Sequence, residues 1–180
     1  MSADAAILPG VGASDAALRA IDAACLRDPI KQFAASGKPL LCVCLGMQVL
    51  FDKSEEGQIP GLGILKGDVR LFRGDMTDAT GARLKVPHMG WNSVRFTPQG
   101  RKHPVFDGVA DGSYFYFVHS YHCVPSRAGD VAATASYGDE VCAAVARGNV
   151  VGTQFHPEKS GATGLRIYSN FVKHAAVVAR

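Results

Sequence analysis

Apolar residues change their spacing along the first part of the chain, and each spacing predicts one element. Residues 5–8 form a short apolar run that stops at the letters PGVG, which predicts a strand followed by a tight loop. Ser14 or Asp15 then caps a helix. The apolar positions of that helix recur at Leu18, Ile21, Ala24 and Cys25. The helical pattern restarts at Asp28 and Pro29, where proline suits a first helical position, and it closes at Gly37.

The next apolar run, PLLCVC, is continuous rather than alternating. A continuous run is typical of a parallel strand covered on both faces. The letters LGMQVLF that follow it predict a helix. Residues 5–51 therefore predict a strand–helix–strand–helix unit, which is typical of a doubly wound α/β sheet.

The rest of the chain is rich in short β-type runs separated by turns. We expect these runs to be antiparallel additions to the sheet or extensions of it. Their letters are LGILKGDVRLF, WNSVRF, YFYFVHSYH, DVAATASYG, EVCAAVARG and NVVGTQF. Apolar residues at helical spacing then predict an amphipathic helix over residues 164–178. Because no repeat or linker divides the sequence, we predict a single domain over residues 1–180.

Composition and charge narrow the classes of function. Hydrophobic residues make up 47% of the 180 residues and charged residues 19%, which is typical of a globular protein. The formal net charge of +3, without a Lys/Arg run, gives no support to nucleic-acid binding. No apolar stretch approaches the ~20 residues of a membrane span, and the letters MSADAAILPG do not resemble a signal peptide. We expect a cytoplasmic protein that binds neither nucleic acid nor membrane.

The cysteines predict a reduced protein. They number five, without a CxxC pair: Cys25, Cys42, Cys44, Cys123 and Cys142. Cys42 and Cys44 are expected on one face of a strand, ~6.6 Å apart by strand rise, which suits a disulfide poorly. His119 and His122 offer a pair of possible metal ligands, but their spacing is not diagnostic, and we expect no metal.

Cys44 is the candidate nucleophile because it stands where a predicted strand meets a predicted helix. A sharp strand-to-helix turn, the nucleophile elbow, presents a reactive atom above a sheet. The helix N-terminus is expected to lower the pKa of the thiol. Gly46 supplies the small residue that such a turn needs after the nucleophile, and Cys42 stands at the matching position before it. By itself the pattern also fits a buried structural cysteine, which is how we interpret Cys42.

His156 and Glu158 are the candidate partners of that thiol. One residue separates them in the letters QFHPEKS, so an extended backbone would direct both side chains to one face. Pro157 disfavours helix at His156. A carboxylate there can hold the imidazole in one tautomer and leave its other nitrogen to take the thiol proton. Either residue alone fits a surface side chain at a strand end equally well.

The loop PGVG is the candidate oxyanion site. A strand that ends in a glycine-flanked loop exposes backbone N–H groups, and we assign the two donors to Val11 and Leu45. The alternative is a dinucleotide-binding loop, but GVGASD lacks the third glycine and GLGILKG has the wrong spacing.

With these motifs the chain resembles the class I, triad-type glutamine amidotransferases. More narrowly, it resembles the glutaminase subunits of imidazole glycerol phosphate synthases, which act in histidine biosynthesis. The letters that carry the likeness are ILPGVGA, CLGMQVLF followed by SEEG, KVPHMGWN, YFYFVHSYH and QFHPEKSG. The resemblance implies a flavodoxin-like α/β fold whose mixed, mostly parallel sheet is flanked by helices.

The resemblance also implies a reaction and its residues. Cys44 would attack the side-chain amide of L-glutamine to give a γ-glutamyl thioester, with His156 moving protons and Glu158 orienting it. No cofactor is implied. The implied substrate-binding residues are Gly10, Gly12, Gly46, Gln48, Glu56, Ser120 and Tyr121. Composition alone would favour a solvated charge pair for Glu55 and Glu56.

A partner is implied as well, because free ammonia must be delivered. The family couples the glutaminase to a (βα)8-barrel cyclase subunit, as a heterodimer, through a tunnel. The residues implied to face that partner are Trp91, Asn92, Tyr116 and Lys159. From the sequence alone, a core position for Trp91 is as good an interpretation as an interface position.

The sequence departs from the family in two places. Family members have a strand, a helix and another strand before the PGVG strand, so we expect an N-terminally truncated domain with exposed apolar faces and unpaired strand edges. Cys42 stands where the elbow normally has glycine. Three alternatives stay open: a cysteine peptidase or γ-glutamyl hydrolase, a glutaminase of another pathway, and an inactive truncated chain that only binds its partner.

Overall fold

The computed structural model describes residues 3–178. Its helices are α1 (Ser14–Ala23), α2 (Arg27–Ala35), α3 (Leu45–Gln48), α4 (Pro98–Lys102) and α5 (Gly161–Val178). Its strands are β1 (Ala6–Gly10), β2 (Leu40–Cys44), β3 (Lys53–Ser54), β4 (Gly67–Leu71), β5 (His88–Ser93), β6 (Arg95–Phe96), β7 (Tyr114–His119), β8 (Tyr121–Pro125), β9 (Val131–Tyr137), β10 (Asp139–Arg147) and β11 (Val150–Thr153). Three 3₁₀ turns add Pro104–Phe106, Ala128–Asp130 and Pro157–Lys159.

The main sheet has six strands in the order β1-β2-β11-β10-β9-β6. Pairing is parallel from β1 to β2 and from β2 to β11, and antiparallel across the other three neighbours. The predicted mixed α/β fold is confirmed, but the parallel part is smaller than expected, because β10 and β9 follow one another as hairpin strands. β2 lies between two parallel neighbours and is buried along its whole length, as its continuous apolar run predicts.

Helices cover both faces of this sheet, and each face has its own apolar core. On one face, Ile167 and Phe171 of α5 pack in a cluster that includes Val43 and Phe155. On the other face, Leu18 of α1 joins a second cluster beneath α1 and α2. Two small assemblies stand beside the main sheet and supply one wall of the site described below: the mixed sheet β3-β4-β8 and the antiparallel pair β5-β7.

The helix predicted from LGMQVLF is shorter than expected. α3 ends at Gln48, after a single turn. The backbone carbonyls beyond it bond to a following loop instead: Leu62 N donates to Val49 O, and Leu65 N donates to Leu50 O. The apolar residues that suggested more helix are buried by this loop, so their burial does not require helical geometry.

Other predicted elements are present with shifted ends. α5 begins at Gly161, three residues before the predicted start. The predicted run YFYFVHSYH divides at Ser120 into β7 and β8, which belong to different sheets. Across residues 3–178, no helix is long and apolar enough to cross a membrane.

Candidate active site

Cys44 sits at a sharp turn between β2 and α3. Its backbone has φ 54° and ψ −112°, a conformation that residues with a Cβ atom adopt rarely and at an energetic cost. The turn is held by two close backbone contacts. A Cβ atom at Gly46 would overlap the carbonyl oxygen of Leu8, and one at Gly10 would lie 2.9 Å from Gly46 N. Glycine at these two positions lets β1 and the elbow approach one another.

The elbow separates the two neighbouring cysteines, which corrects the prediction that they share one face. Cys42 is fully buried in the cluster beneath α1 and α2, whereas Cys44 belongs to the cluster on the other face of the sheet. The positive φ of Cys44 rotates its side chain out of the strand alternation. Cys42 therefore packs in the sheet, and Cys44 reaches the cavity described below.

The pKa of Cys44 is higher than the sequence suggested. We expected the helix N-terminus to lower it, but burial dominates and raises the pKa of this thiol to about 11. Hydrogen bonds from Leu45 N–H and the Gln154 amide act in the opposite direction and only reduce the effect. The N–H of Leu45, the first residue of α3, therefore does not offset the removal of water. The thiol is therefore neutral at pH 7 until a base accepts its proton.

His156 offers such a base. Its Nδ1 atom lies 2.7 Å from Oε1 of Glu158, and its buried Nε2 atom has no hydrogen-bond partner within residues 3–178. Burial raises the pKa of Glu158, but hydrogen bonds, foremost the one from His156, lower it below its usual value overall. The carboxylate therefore stays ionised at pH 7, which favours the tautomer with the proton on Nδ1 and a free electron pair on Nε2.

The local backbone around this pair differs from the extended geometry that we predicted. Residues Pro157–Lys159 form a 3₁₀ turn that begins directly after His156, whose own backbone is extended. The turn brings Glu158 back to the imidazole. His156 is fixed on both sides, because its N–H donates to Tyr116 O at 2.9 Å and its carbonyl accepts from Ser160 Oγ at 2.6 Å.

A cavity of about 330 Å³ unites most of the predicted site residues. The predicted residues that line it are Val11, Gly12, Cys44, Leu45, Gln48, Glu56, Ser120, Tyr121 and His156. Pro87, Val118 and His119 complete the lining and were not predicted for it. Gly10 and Gly46 are not among the lining residues; they make the close contacts of the elbow instead. Size does not identify the site, because a cavity of about 800 Å³ elsewhere is lined by neither Cys44 nor His156.

The two glutamates of the letters SEEG have separate positions. Glu56 faces the cavity, and its Oε2 accepts a hydrogen bond from Ser14 N at 2.7 Å. Glu55 lies on a different edge, where its Oε2 accepts from Leu71 N at 2.8 Å. The interpretation as a solvated charge pair is therefore wrong for Glu56, which is half-buried and lines the cavity.

Sequence reasoning missed two side chains that contact the catalytic candidates. The Gln154 amide nitrogen lies 3.7 Å from Cys44 Sγ, and Tyr168 Oη donates to Glu158 Oε2 at 3.2 Å. Gln154 immediately precedes Phe155 and His156. Its position at the end of an apolar strand, beside a candidate base, could have indicated a place in the site.

The residues expected to face a partner form one patch with one exception. Trp91 and Tyr116 are opposite each other on β5 and β7, with ring centroids 6.4 Å apart, and Lys159 Nζ lies 5.8 Å from the Tyr116 ring centroid. Trp91 is 56% exposed, so its alternative position in the core is wrong. Asn92 is the exception, because its amide nitrogen already donates to Ser136 O and to His88 Nε2.

The sequence and the fold match known proteins. Residues 2–175 match the family model described as glutamine amidotransferase class-I. The chain belongs to the class-I glutamine amidotransferases. Its relatives include two proteins named imidazole glycerol phosphate synthase subunit HisH. The one from Aromatoleum aromaticum is 49% identical over 94% of this chain and 78% of its own length, and the one from Syntrophotalea carbinolica is 51% identical over 94% and 81%.

A solved structure agrees on the fold of this glutamine amidotransferase. The glutaminase domain of Trypanosoma brucei CTPS, determined with bound acivicin, superposes with a TM-score of 0.62 at 19% identity, over 96% of this chain and 72% of that one. At that identity the likeness extends to the fold alone. Within residues 3–178, no cluster of three or more His, Cys, Asp or Glu side chains is arranged to hold a metal ion.

Proposed function

We propose that this chain hydrolyses L-glutamine to L-glutamate and ammonia. One observation carries the proposal: Cys44 and His156 line the same cavity, His156 Nε2 has no hydrogen-bond partner among the described residues, and Glu158 engages the other nitrogen of that imidazole. A nucleophile, a base and a group that orients the base are the parts that acyl transfer requires.

The first half of the reaction forms a thioester. His156 Nε2 takes the thiol proton as Cys44 Sγ bonds to the side-chain amide carbon of glutamine. Because burial raises the pKa of the thiol to about 11, the sulfur needs His156 to accept its proton before or during the attack. The tetrahedral oxyanion then collapses, the C–N bond breaks, and the imidazolium gives its proton to the departing ammonia.

The second half consumes water. His156 takes a proton from a water molecule, whose oxygen attacks the γ-glutamyl carbon. The C–S bond breaks and the proton returns to the sulfur, so the sum is glutamine plus water to glutamate plus ammonia. Glu158 stays ionised throughout and stabilises the imidazolium.

The cavity lining suits the ends of a glutamine molecule. The Glu56 carboxylate is a partner for the α-ammonium group, and the backbone at Ser120 and Tyr121 closes the wall opposite. Val11, which directly follows β1, and Leu45, the first residue of α3, are the proposed sources of the N–H groups for the oxyanion.

We further propose delivery of the ammonia to a cyclase. The relatives named above are subunits of imidazole glycerol phosphate synthase, so this chain is proposed to supply ammonia to a (βα)8-barrel subunit that forms imidazole glycerol phosphate and aminoimidazole carboxamide ribotide. The exposed Trp91, with Tyr116 and Lys159 beside it, is the proposed contact surface.

The deciding experiment measures glutamate release from glutamine by this chain alone, with the barrel subunit, and with that subunit plus its nucleotide substrate. We expect turnover in the assembled complex and none above background for Cys44→Ala in the same complex. Turnover that survives Cys44→Ala, or no turnover in the full mixture, refutes the proposal. Release of glutamate from γ-glutamyl peptides but not from glutamine would instead support a γ-glutamyl hydrolase.

A further inference from the structure

Two buried histidines that the reaction does not use lie at the cavity: His119 lines it, and His88 is bonded to His119. They are His88 on β5 and His119 on β7, called here the histidine pair. They are opposite one another in the register of these strands, and His88 Nδ1 lies 3.0 Å from His119 Nε2. Both are nearly inaccessible to solvent.

Hydrogen bonds connect the histidine pair to the nucleophile in an unbroken series. His119 Nδ1 lies 2.8 Å from the carbonyl oxygen of Tyr121, which also accepts from Gln48 Nε2 at 2.9 Å. The same Gln48 nitrogen donates to Gln154 Oε1 at 3.0 Å. Gln154 Nε2 in turn lies 3.7 Å from Cys44 Sγ.

The Tyr121 carbonyl sets the direction of every bond in this series. A carbonyl oxygen only accepts, so the atoms that face it must be the N–H of His119 Nδ1 and the NH2 group of Gln48. Since Gln48 donates onward as well, Gln154 must present its oxygen to Gln48 and its NH2 group to the sulfur.

The same rule applies on the other side. With its proton on Nδ1, His119 can only accept at Nε2, so His88 must donate from Nδ1 and accept at Nε2. The donor at that end is the amide nitrogen of Asn92, 3.3 Å away, on the strand that also carries the exposed Trp91. Burial lowers the pKa of His88 to about 4 and that of His119 to about 3, so both rings are neutral at pH 7, as this pattern requires.

We propose that the histidine pair positions the Gln154 amide against the Cys44 sulfur, and so stabilises the negative charge that develops there. This inference rests on the proposed glutaminase reaction and adds positioning residues to it. Gln154 is completely buried, so its amide has few other hydrogen-bond partners once the Tyr121 carbonyl and Gln48 are fixed. A hydrogen bond to a developing anion is stronger than one between neutral groups.

The test reads the thiol directly and needs no glutamine. In a Cys25→Ser background, which removes the one exposed cysteine of residues 3–178, the rate of Cys44 alkylation by iodoacetamide is measured against pH. We expect Gln154→Leu and His88→Phe to move the midpoint to a pH about one unit higher. Both variants should lower kcat/KM for glutamine about tenfold in the assembled complex. His88→Gln can still donate and accept a hydrogen bond. In that variant the alkylation midpoint and kcat/KM should both lie close to the values of the parent protein.

Two control variants separate positioning from packing. Phe117→Leu removes a ring that stacks on His88 with centroids 4.6 Å apart but makes none of these hydrogen bonds. His122→Gln changes a nearby histidine that stacks on Phe72 outside the series. Neither is expected to move the alkylation midpoint.

A His88→Phe profile that coincides with that of the parent overturns the proposal, and so does an equal shift in Phe117→Leu. If circular dichroism shows that His88→Phe does not fold, Asn92→Ala, which removes the donor at the exposed end, decides the question in the same assay. Failure of the parent chain to turn over glutamine with its partner would refute the proposed function, whereas the alkylation midpoints would still decide whether the histidine pair acts on Cys44.

Discussion

Oε1 of Glu158 lies 2.7 Å from Nδ1 of His156, in a side-chain pair of very unequal exposure. The imidazole is buried, whereas the Glu158 side chain is 43% exposed. The carboxylate therefore orients a buried base from the surface, where water screens part of its charge. Because of this difference in exposure, we expect the loss of kcat on substitution of Glu158 to be moderate.

Glu158→Gln should lower kcat about 10²-fold, because the amide no longer favours the tautomer with a free pair on Nε2. The loss should be smaller than for a fully buried orienting carboxylate. The measurement is glutamine turnover in the assembled complex. Tyr168→Phe removes only the 3.2 Å bond to the other carboxylate oxygen and should reduce kcat less than about threefold. Equal losses in the two variants would contradict the assigned roles.

The two neighbouring cysteines should respond differently to the same substitution. Cys44→Ala is expected to abolish turnover without loss of fold, since it lines a cavity. Cys42→Ala should retain more than about half of kcat and lose roughly 1 kcal/mol of unfolding free energy, because it leaves a small void in a packed sheet. Turnover and urea unfolding measured side by side distinguish the two outcomes. Similar loss of turnover in both variants would show that the nucleophile has been misassigned.

Gly46→Ala should destabilise the whole domain rather than weaken substrate binding. Its new methyl group would meet the Leu8 carbonyl, and that backbone cannot retreat without breaking the pairing of β1 with β2. We expect a loss of about 3 kcal/mol and a Tm lower by about 10 °C. Gly129→Ala is the matched control, because a Cβ atom there meets nothing within 4 Å and the expected Tm change is small. A Gly46→Ala protein with unchanged Tm would contradict the close approach of strand and elbow.

Stability should fall on mild acidification. The pKa of His88 is lowered to about 4 and that of His119 to about 3 by burial, whereas an unfolded histidine titrates near 6.5. Below about pH 6.5 the unfolded chain therefore binds protons that the folded chain refuses. The stabilisation is complete above about pH 6.5 and is lost as the pH falls toward 4, by about 1.4 kcal/mol per pH unit for each such proton.

Urea unfolding between pH 7.5 and 5 tests this expectation in a range where most carboxylates stay ionised. His88→Phe should give a shallower dependence on pH, because one of the buried histidines is gone. Burial also lowers the pKa of His103 and His122, so part of the slope should remain in that variant. A free energy of unfolding that is flat over this range in the parent protein would contradict neutral buried rings.

Trp91→Ala should weaken binding to the barrel subunit about tenfold or more, because an exposed aromatic side chain that gains burial is a common source of binding energy. Calorimetric titration of the two subunits measures the Kd. Val172→Ala removes an exposed apolar side chain from α5, 63% exposed against 56% for Trp91, and should leave the Kd unchanged. Should both variants bind as the parent does, the contact surface lies elsewhere.

Local patterns were sufficient for the element types and for the core of the chemistry. The apolar run PLLCVC predicted β2, because that feature spans only a few residues. The contact of His156 with Glu158 was also expected, but a 3₁₀ turn forms it instead of the predicted extended backbone. The length of α3 could not be predicted in this way. It depends on carbonyl groups that a loop more than ten residues later satisfies.

The amino-acid sequence by itself determined the family, the α/β fold class and the three residues proposed for catalysis, since each depends on motifs that are contiguous in the chain. Tertiary structure alone decided the pKa of Cys44, the separation of the two cysteines onto opposite faces, and the hydrogen-bonded series that ends at Gln154. The physical reason is distance along the chain: Gln154 and Cys44 are 110 positions apart, and the histidines of the pair are 31 apart. Burial and such contacts exist only once the strands have assembled.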